Sequence, residues 1–116
     1  MKIRLIEPGN AREDPFAQCW YTPESGRFAV PLLALPVLAS MTPRHHEVQI
    51  VDEKVRAVDL EADCDLACFS FKTKDALRTY RYAQAYRRRG IPVVLGGVHV
   101  LYAPEEAAAH ADSVVV

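Results

Sequence analysis

The 116-residue sequence lacks a long apolar run, an excess of charge of either sign and a cysteine-rich composition. Its longest apolar stretch, 28–39, is interrupted by Pro31 and Pro36 and is shorter than the ~20 residues that a membrane-spanning helix needs. The 14 Lys and Arg residues nearly balance the 15 Asp and Glu residues, so no electrostatic case for nucleic-acid binding exists. Three cysteines in such a chain are typical of a reducing compartment. These absences predict a cytoplasmic protein with neither nucleic acid nor membrane as partner.

The remaining composition is that of one globular domain over residues 1–116, with 50% hydrophobic and 25% charged residues. Five short apolar segments predict β-strands, and the last three are nearly unbroken, as in strands covered on both faces of a parallel sheet. Helical patterns between them predict an α/β fold. The predicted strands are 2–6, 47–51, 66–71, 92–95 and 114–116.

The clearest helical pattern covers residues 74–89, in which Ala76, Leu77, Tyr80 and Ala83 recur at three- and four-residue steps and form one apolar stripe. Thr73 is the predicted N-cap, and Gly90 suits the left-handed position after the last turn. The arginines at 87–89 are interpreted as charges that suit the end of a helix, in preference to a nucleic-acid patch.

Three other segments carry weaker signals. Pro104 predicts the start of a helix over 104–111. The segment 28–41 also favours helix, with Pro36 expected to kink or divide it. Residues 52–65 are expected to form a largely irregular crossover, and residues 8–27 a long loop.

Ligands of open parallel sheets bind beyond the carboxyl ends of the strands, which makes the residues at those ends the candidate site. Gly96-Gly97 follows a buried strand and offers close approach to the backbone, although a turn with positive φ explains the pair equally well. The strand-end segments are Pro8-Gly9-Asn10, Val51-Asp52-Glu53, Ser70-Phe71-Lys72-Thr73 and Gly96-Gly97-Val98-His99.

Several motifs of known chemistry are absent. No G-x-G-x-x-G follows the first strand, which argues against dinucleotide binding, and no Walker A sequence occurs. No set of three residues has zinc-ligand spacing, because Cys64 and Cys68 straddle a strand start and His45-His46 falls in a solvated loop. The sequence therefore predicts no catalytic group and no metal ligand within this chain.

The most specific stretch resembles a known family. Residues 89–106 read RGIPVVLGGVHVLYAPEE, and they are accompanied by HEVQIVDE at 46–53, DLACFS at 65–70 and HADSVVV at 110–116. Together these segments resemble the N-terminal cobalamin-binding domain of cobalamin-dependent radical SAM proteins, a group that includes the anaerobic magnesium-protoporphyrin IX monomethyl ester oxidative cyclases. The resemblance covers roughly residues 28–116.

That resemblance implies a flavodoxin-like, Rossmann-like doubly wound sheet of five parallel strands in the order 2-1-3-4-5, which binds cobalamin with its nucleotide tail extended. By position, Ser70 resembles the hydroxyl that contacts the tail, and Gly96 and Gly97 resemble the glycines lining its channel. The segment Pro8-Gly9-Asn10 would begin the loop under the corrin ring. Phe71, Thr73 and His99 complete the implied cofactor-binding set.

The sequence departs from related patterns in two ways. The first loop has no D-x-H-x-x-G, so the resemblance implies base-off cobalamin without a histidine ligand from that loop. The C-x-x-x-C-x-x-C motif is also absent, which places the iron–sulfur cluster and S-adenosylmethionine in a downstream radical SAM domain. We therefore expect a domain excised from a longer protein that acts as an oxidoreductase or methyltransferase.

Two alternatives remain open at the level of sequence. The chain can be a cofactor-free, Rossmann-like interaction domain that docks onto a catalytic partner. It can also be a flavin or nucleotide binder, an alternative that rests on architecture alone.

Overall fold

A computed structural model describes residues 1–9 and 33–116. Its five strands form one sheet in which every neighbouring pair is parallel, in the order β2-β1-β3-β4-β5. This confirms the predicted α/β, flavodoxin-like fold class. The strands are β1 (Lys2–Glu7), β2 (Glu47–Asp52), β3 (Leu66–Ser70), β4 (Val93–Gly96) and β5 (Ser113–Val114).

The strand boundaries differ from the predicted ones by one or two residues. Strand β3 ends at Ser70, before Phe71, and β4 begins after Pro92, which has no N–H to donate to a ladder. Strand β5 starts at Ser113, earlier than predicted, because Ser113 pairs with Val94. An apolar pattern does not predict this start, because Ser113 is polar and the apolar run begins at Val114.

Helices lie on both faces of the sheet. In the described ranges, no helix has the length and apolar character required to cross a bilayer. The helices are α1 (Ala34–Met41), α2 (Ala76–Arg88, preceded by a 3₁₀ turn at Thr73–Asp75), α3 (Val98–Tyr102) and α4 (Pro104–Ala108).

Helix α1 corrects the expectation that Pro36 kinks or divides the segment. Pro36 is the third residue of a continuous helix. The first N–H groups of a helix have no partner within it, so a proline there removes no hydrogen bond. The part of the predicted helix before Leu33 lies outside the described residues.

Helix α2 begins differently from the prediction and ends as predicted. Thr73 is not its N-cap: Asp75 occupies that position, and no side chain caps the helix. Thr73 instead starts the 3₁₀ turn. At the other end, Gly90 has φ 75°, which confirms the left-handed residue expected there.

The core consists of two layers divided by the sheet. Helix α1 contributes Leu35 to a small cluster with Ile3 and Leu5. Helix α2 presents a buried stripe to the opposite face, but Leu77, assigned to that stripe from the sequence, is 74% exposed. The buried residues of α2 are Ala76, Thr79, Tyr80, Ala83 and Tyr86.

The crossover between β2 and β3 contains no helix, as predicted. Arg4, buried in β1, supports it by donating from Nη1 to the Asp59 carbonyl and the Tyr86 hydroxyl. The same guanidinium donates from Nε to Gln49 Oε1 at 3.0 Å. The buried Arg4 side chain therefore supports a crossover that contains no helix.

Candidate functional site at the carboxyl edge of the sheet

The ends of β3 and β4 bring most of the predicted site residues together. Ser70 and Gly96 are register partners in neighbouring strands. Beyond them, the Phe71 amide donates to the Gly96 carbonyl at 3.2 Å, and the His99 amide donates to the Phe71 carbonyl at 3.3 Å. These bonds wrap the Gly97 turn around the backbone of Phe71.

Gly97 is required by this close approach. Its φ is 98°, and a Cβ on it would stand 2.6 Å from the Phe71 nitrogen and 3.1 Å from Ser70 Oγ. The space that a side chain would take is therefore filled by protein and is not open to a ligand. A role for Gly97 in lining a ligand channel stays a prediction.

Gly96 and Ser70 are less constrained by neighbouring atoms than Gly97. A Cβ on Gly96 would meet Val115 and the Phe69 carbonyl no closer than 3.8 Å, which is ordinary contact. The Ser70 side chain is half-buried, and its hydroxyl makes no hydrogen bond within the part of the chain that the structure describes. A polar atom in this position is available to a ligand at the strand end.

His99, on α3, is buried and has protein partners at both ring nitrogens. Nδ1 lies 3.1 Å from Thr73 Oγ1, while Nε2 lies 3.1 Å from the Tyr80 hydroxyl and 3.3 Å from Glu106 Oε1. The Tyr80 hydroxyl donates to Glu106 at 2.8 Å, so a proton on His99 Nε2 is directed at the oxygens of Tyr80 and Glu106. In this position His99 links Thr73, Tyr80 and Glu106.

Electrostatics follow from this network. Burial, together with hydrogen bonding to Glu106, raises the pKa of Tyr80. Hydrogen bonds from Tyr80 and His99 lower the pKa of Glu106. The network thus keeps a phenol and a carboxylate in one arrangement, and it connects the carboxyl edge to an open groove of about 1080 Å³ between α2 and α4.

The end of β1 forms the other half of the candidate site. Pro8 is fully buried, and the Gly9 amide donates to Glu53 Oε2 at 2.8 Å. A Cβ on Gly9 would face Lys54 Cε at 3.5 Å and the Asp75 carboxylate at 3.7 Å. Asn10, the third residue predicted here, lies outside the described residues.

Sequence reasoning did not assign a role to the charged network beside Gly9. Glu53 accepts from Arg78 at 2.9 and 2.8 Å and also from the Tyr82 hydroxyl. Burial disfavours the Glu53 carboxylate, but the bonds from Arg78, Tyr82 and Gly9 outweigh it and leave the pKa below its ordinary value. One sequence signal was visible: Arg78 and Tyr82 stand one turn apart on the same helix, so they face the same side.

A second ion pair lies under the same edge. Glu7, the last residue of β1, pairs with Lys54 Nζ at 3.4 Å, and both side chains are largely buried. Burial raises the pKa of Glu7 despite the neighbouring lysine. The strand end is therefore rich in paired charge and not a bare apolar pocket.

The sulfur and histidine candidates for metal binding do not converge. Among residues 1–9 and 33–116, no group of three or more His, Cys, Asp or Glu residues is arranged to hold a metal ion. Burial raises the pKa of Cys68 to about 11 and also raises that of Cys64. Both groups are thus neutral thiols at neutral pH, and thiols are poorer metal ligands than thiolates.

These features define the class: a doubly wound, parallel α/β domain with its candidate site where β1, β3 and β4 end. The chain is similar to bacteriochlorophyllide d C-8(2)-methyltransferase of Chlorobaculum tepidum, with 45% identity over 85 residues. The match covers 72% of this chain and 19% of the relative, so the chain spans about a fifth of that protein. No family model and no solved structure matches the chain.

Proposed function

We propose that this chain is a cobalamin-binding module of a cobalamin-dependent radical SAM protein. Its sheet order, its similarity to a methyltransferase and the family resemblance of residues 89–106 support this function. The parent protein would be a methyltransferase, or an oxidative cyclase acting on a magnesium-porphyrin ester. Its radical SAM domain would lie downstream and hold the iron–sulfur cluster and S-adenosylmethionine.

One observation carries the proposal within this chain. The Ser70 hydroxyl stands half-buried at the end of β3, beside the Gly96-Gly97 backbone, without a partner in the described residues. Such a hydroxyl suits the amide and phosphate oxygens of a nucleotide tail, because it both donates and accepts. A Cβ on Gly96 would meet Val115 and the Phe69 carbonyl at ordinary contact distance, so this position lacks the overlap found at Gly97.

The surrounding residues fit a large, partly apolar ligand. Helix α3 starts at this edge and leaves Val98, Leu101 and Tyr102 more than half exposed. Exposed apolar groups beside convergent polar ones are typical of cofactor sites. When bound, cobalamin supplies methyl transfer or one-electron chemistry, whereas this chain's residues bind and orient it.

Base-off binding without a protein histidine is part of the proposal. The nitrogens of His99 both have protein partners, and the exposed His110 stacks on the Tyr80 ring with the centroids 4.0 Å apart. His45 and His46 precede β2, at the amino edge of the sheet. Electron paramagnetic resonance of the reduced, cob(II)alamin-loaded chain checks this point. We expect no nitrogen splitting on the cobalt signal, and splitting from an axial nitrogen would contradict base-off binding.

Cobalamin retention tests the function directly. The full 116-residue chain is incubated with excess hydroxocobalamin, desalted and examined for corrin absorbance. We expect stoichiometric retention in the wild type and about fivefold weaker affinity in Ser70→Ala, since one hydrogen bond contributes roughly 1 kcal/mol. Ser113→Ala, which removes an exposed hydroxyl from the outer strand β5, serves as the control. Loss of all corrin from the wild type would refute the proposal.

A cofactor-free interaction domain is the second candidate. It is favoured by the filled space beside Gly97, which explains that glycine without any ligand. Thermal unfolding with cobalamin, FMN and NAD separates the candidates, because only a ligand that binds the native state raises the melting temperature. No shift with any of the three supports the interaction domain, and a shift with FMN or NAD alone supports a flavin or nucleotide binder.

A further inference from the structure

Glu53 holds the end of β1 from two directions. Its amide donates to the Glu7 carbonyl at 3.0 Å, and its carboxylate accepts from the Gly9 amide at 2.8 Å. The first bond continues the β1–β2 ladder one step beyond the strands, and the second replaces the following step with a side chain. The backbone at Pro8–Gly9 is therefore tied to residue 53 on both sides.

The same carboxylate is fixed by helix α2. Arg78 donates two hydrogen bonds to it, and its guanidinium also lies 5.6 Å from the centre of the Tyr82 ring, whose hydroxyl donates to Glu53. The Glu53 side chain is only 7% exposed. Charge-assisted hydrogen bonds in a fork geometry are shorter, stronger and more directional than hydrogen bonds between neutral groups.

The consequence for the candidate site is geometrical. Pro8 and Gly9 stand at the end of β1, next to β3, whose end carries Ser70. Asp75, which precedes α2, lies against Gly9 on the other side. The distance between the two halves of the carboxyl edge thus depends on where Glu53 and α2 hold Gly9.

We infer that Glu53 is a positioning residue: it sets the place of the Pro8–Gly9 backbone at the ligand edge and thereby the affinity for the ligand, without touching it. This inference rests on the proposed cobalamin function for its affinity part. Its structural part, the hold of Glu53 on the Gly9 amide, stands independently of any ligand.

The test compares Glu53→Gln with Glu47→Gln, which removes an exposed carboxylate from the start of β2, the strand that Glu53 follows. Amide hydrogen exchange by NMR and hydroxocobalamin titration are measured on both variants under conditions where circular dichroism shows them folded. For Glu53→Gln we expect Gly9 exchange to accelerate about tenfold beyond core amides, and cobalamin affinity to fall about tenfold. Glu47→Gln should resemble the wild type in both.

Tyr82→Phe provides a milder variant if Glu53→Gln unfolds. It removes one of the bonds to the carboxylate and should accelerate Gly9 exchange by a few-fold. Unchanged Gly9 exchange in these variants overturns the inference, and so does unchanged affinity when wild type binds cobalamin. If wild type binds none, the proposed function and the affinity part both fail, and the exchange rates alone decide whether Glu53 holds Gly9.

Discussion

At the scale of single residues, the glycine pair at the end of β4 has two different physical roles. Gly97 has a positive φ and no room for a Cβ, whereas Gly96 has neither restriction. We expect Gly97→Ala to lower the free energy of unfolding by about 2–4 kcal/mol, through backbone strain and overlap with Phe71. Gly96→Ala should change it by less than about 1 kcal/mol. Urea unfolding followed by circular dichroism measures both.

This matched pair also tests the site. If Gly96→Ala retains stability but loses cobalamin, the ligand approaches the backbone at Gly96. Equal stability losses in the two variants would contradict the role assigned to the Gly97 turn.

The sequence identifies these residues as candidates but does not show which groups they contact. Two glycines after a buried strand mark a close approach, yet only the fold shows that the approaching group beside Gly97 is the Phe71 backbone. His99 is similar: its residue type makes it a candidate, but its partners lie in a 3₁₀ turn and two helices. They are 26, 19 and 7 positions away from His99 in the sequence. Contacts of this kind are set by tertiary structure and leave no local periodicity to recognise.

At the scale of elements, segments with clear periodicity or start signals were predicted well, and α3 was not. The spacing predicts most of the stripe of α2, with Leu77 as the exception, and Gly90 marks the end of the helix. Helix α3 was missed, because Val98, His99 and Val100 have weak helix propensity and the helix has only five residues. It forms because the Gly97 turn and the bond from the His99 amide to Phe71 set its first turn.

The arginine run at the end of α2 yields a prediction at this scale. Arg89 donates to the carbonyls of Leu60, Glu61 and Ala62, so it supports the irregular β2–β3 crossover. Arg89→Ala should reduce the free energy of unfolding by about 1–2 kcal/mol, less than fully buried charged bonds would give because the arginine is exposed. The measurement is chemical denaturation.

Arg88→Ala is the control for this experiment, since Arg88 shares the exposed last turn and has no hydrogen bond or ion pair to the described residues. It should change stability by no more than about 0.5 kcal/mol. A similar loss in both variants would mean that Arg89 acts through general helix-end charge and not through the crossover.

At the scale of the whole molecule, the order of the strands was predictable and the charged connections between layers were not. Apolar strands alternating with helical segments imply a parallel sheet, and the family resemblance supplied the order 2-1-3-4-5. The link from Glu53 to Arg78 and Tyr82 joins residues 25 and 29 positions apart, after an irregular crossover. Its partners depend on how that crossover places β2 against α2, which no sequence pattern encodes.

These connections give the protein a defined response to alkaline pH. Burial, with its hydrogen bond to Glu53, raises the pKa of Tyr82 to about 12 from an ordinary value near 10, and the pKa values of Tyr80 and Tyr86 are also raised. The unfolded chain therefore loses these protons first. The stabilisation is complete below about pH 10 and is lost as pH rises through the folded-state values. We expect the free energy of unfolding to fall between about pH 10 and 12.

Tyr82→Phe should flatten that alkaline decline by on the order of 1 kcal/mol, after allowance for solvent screening of a partly exposed group. Tyr102→Phe is its matched control, because Tyr102 is 80% exposed. Urea titrations at intervals from pH 8 to about 12 measure the slope for each variant. If the free energy of unfolding falls equally in Tyr82→Phe and Tyr102→Phe, ionisation of the Tyr82 hydroxyl beside Glu53 does not cause the alkaline decline. The decline then belongs to the remaining buried phenols and thiols.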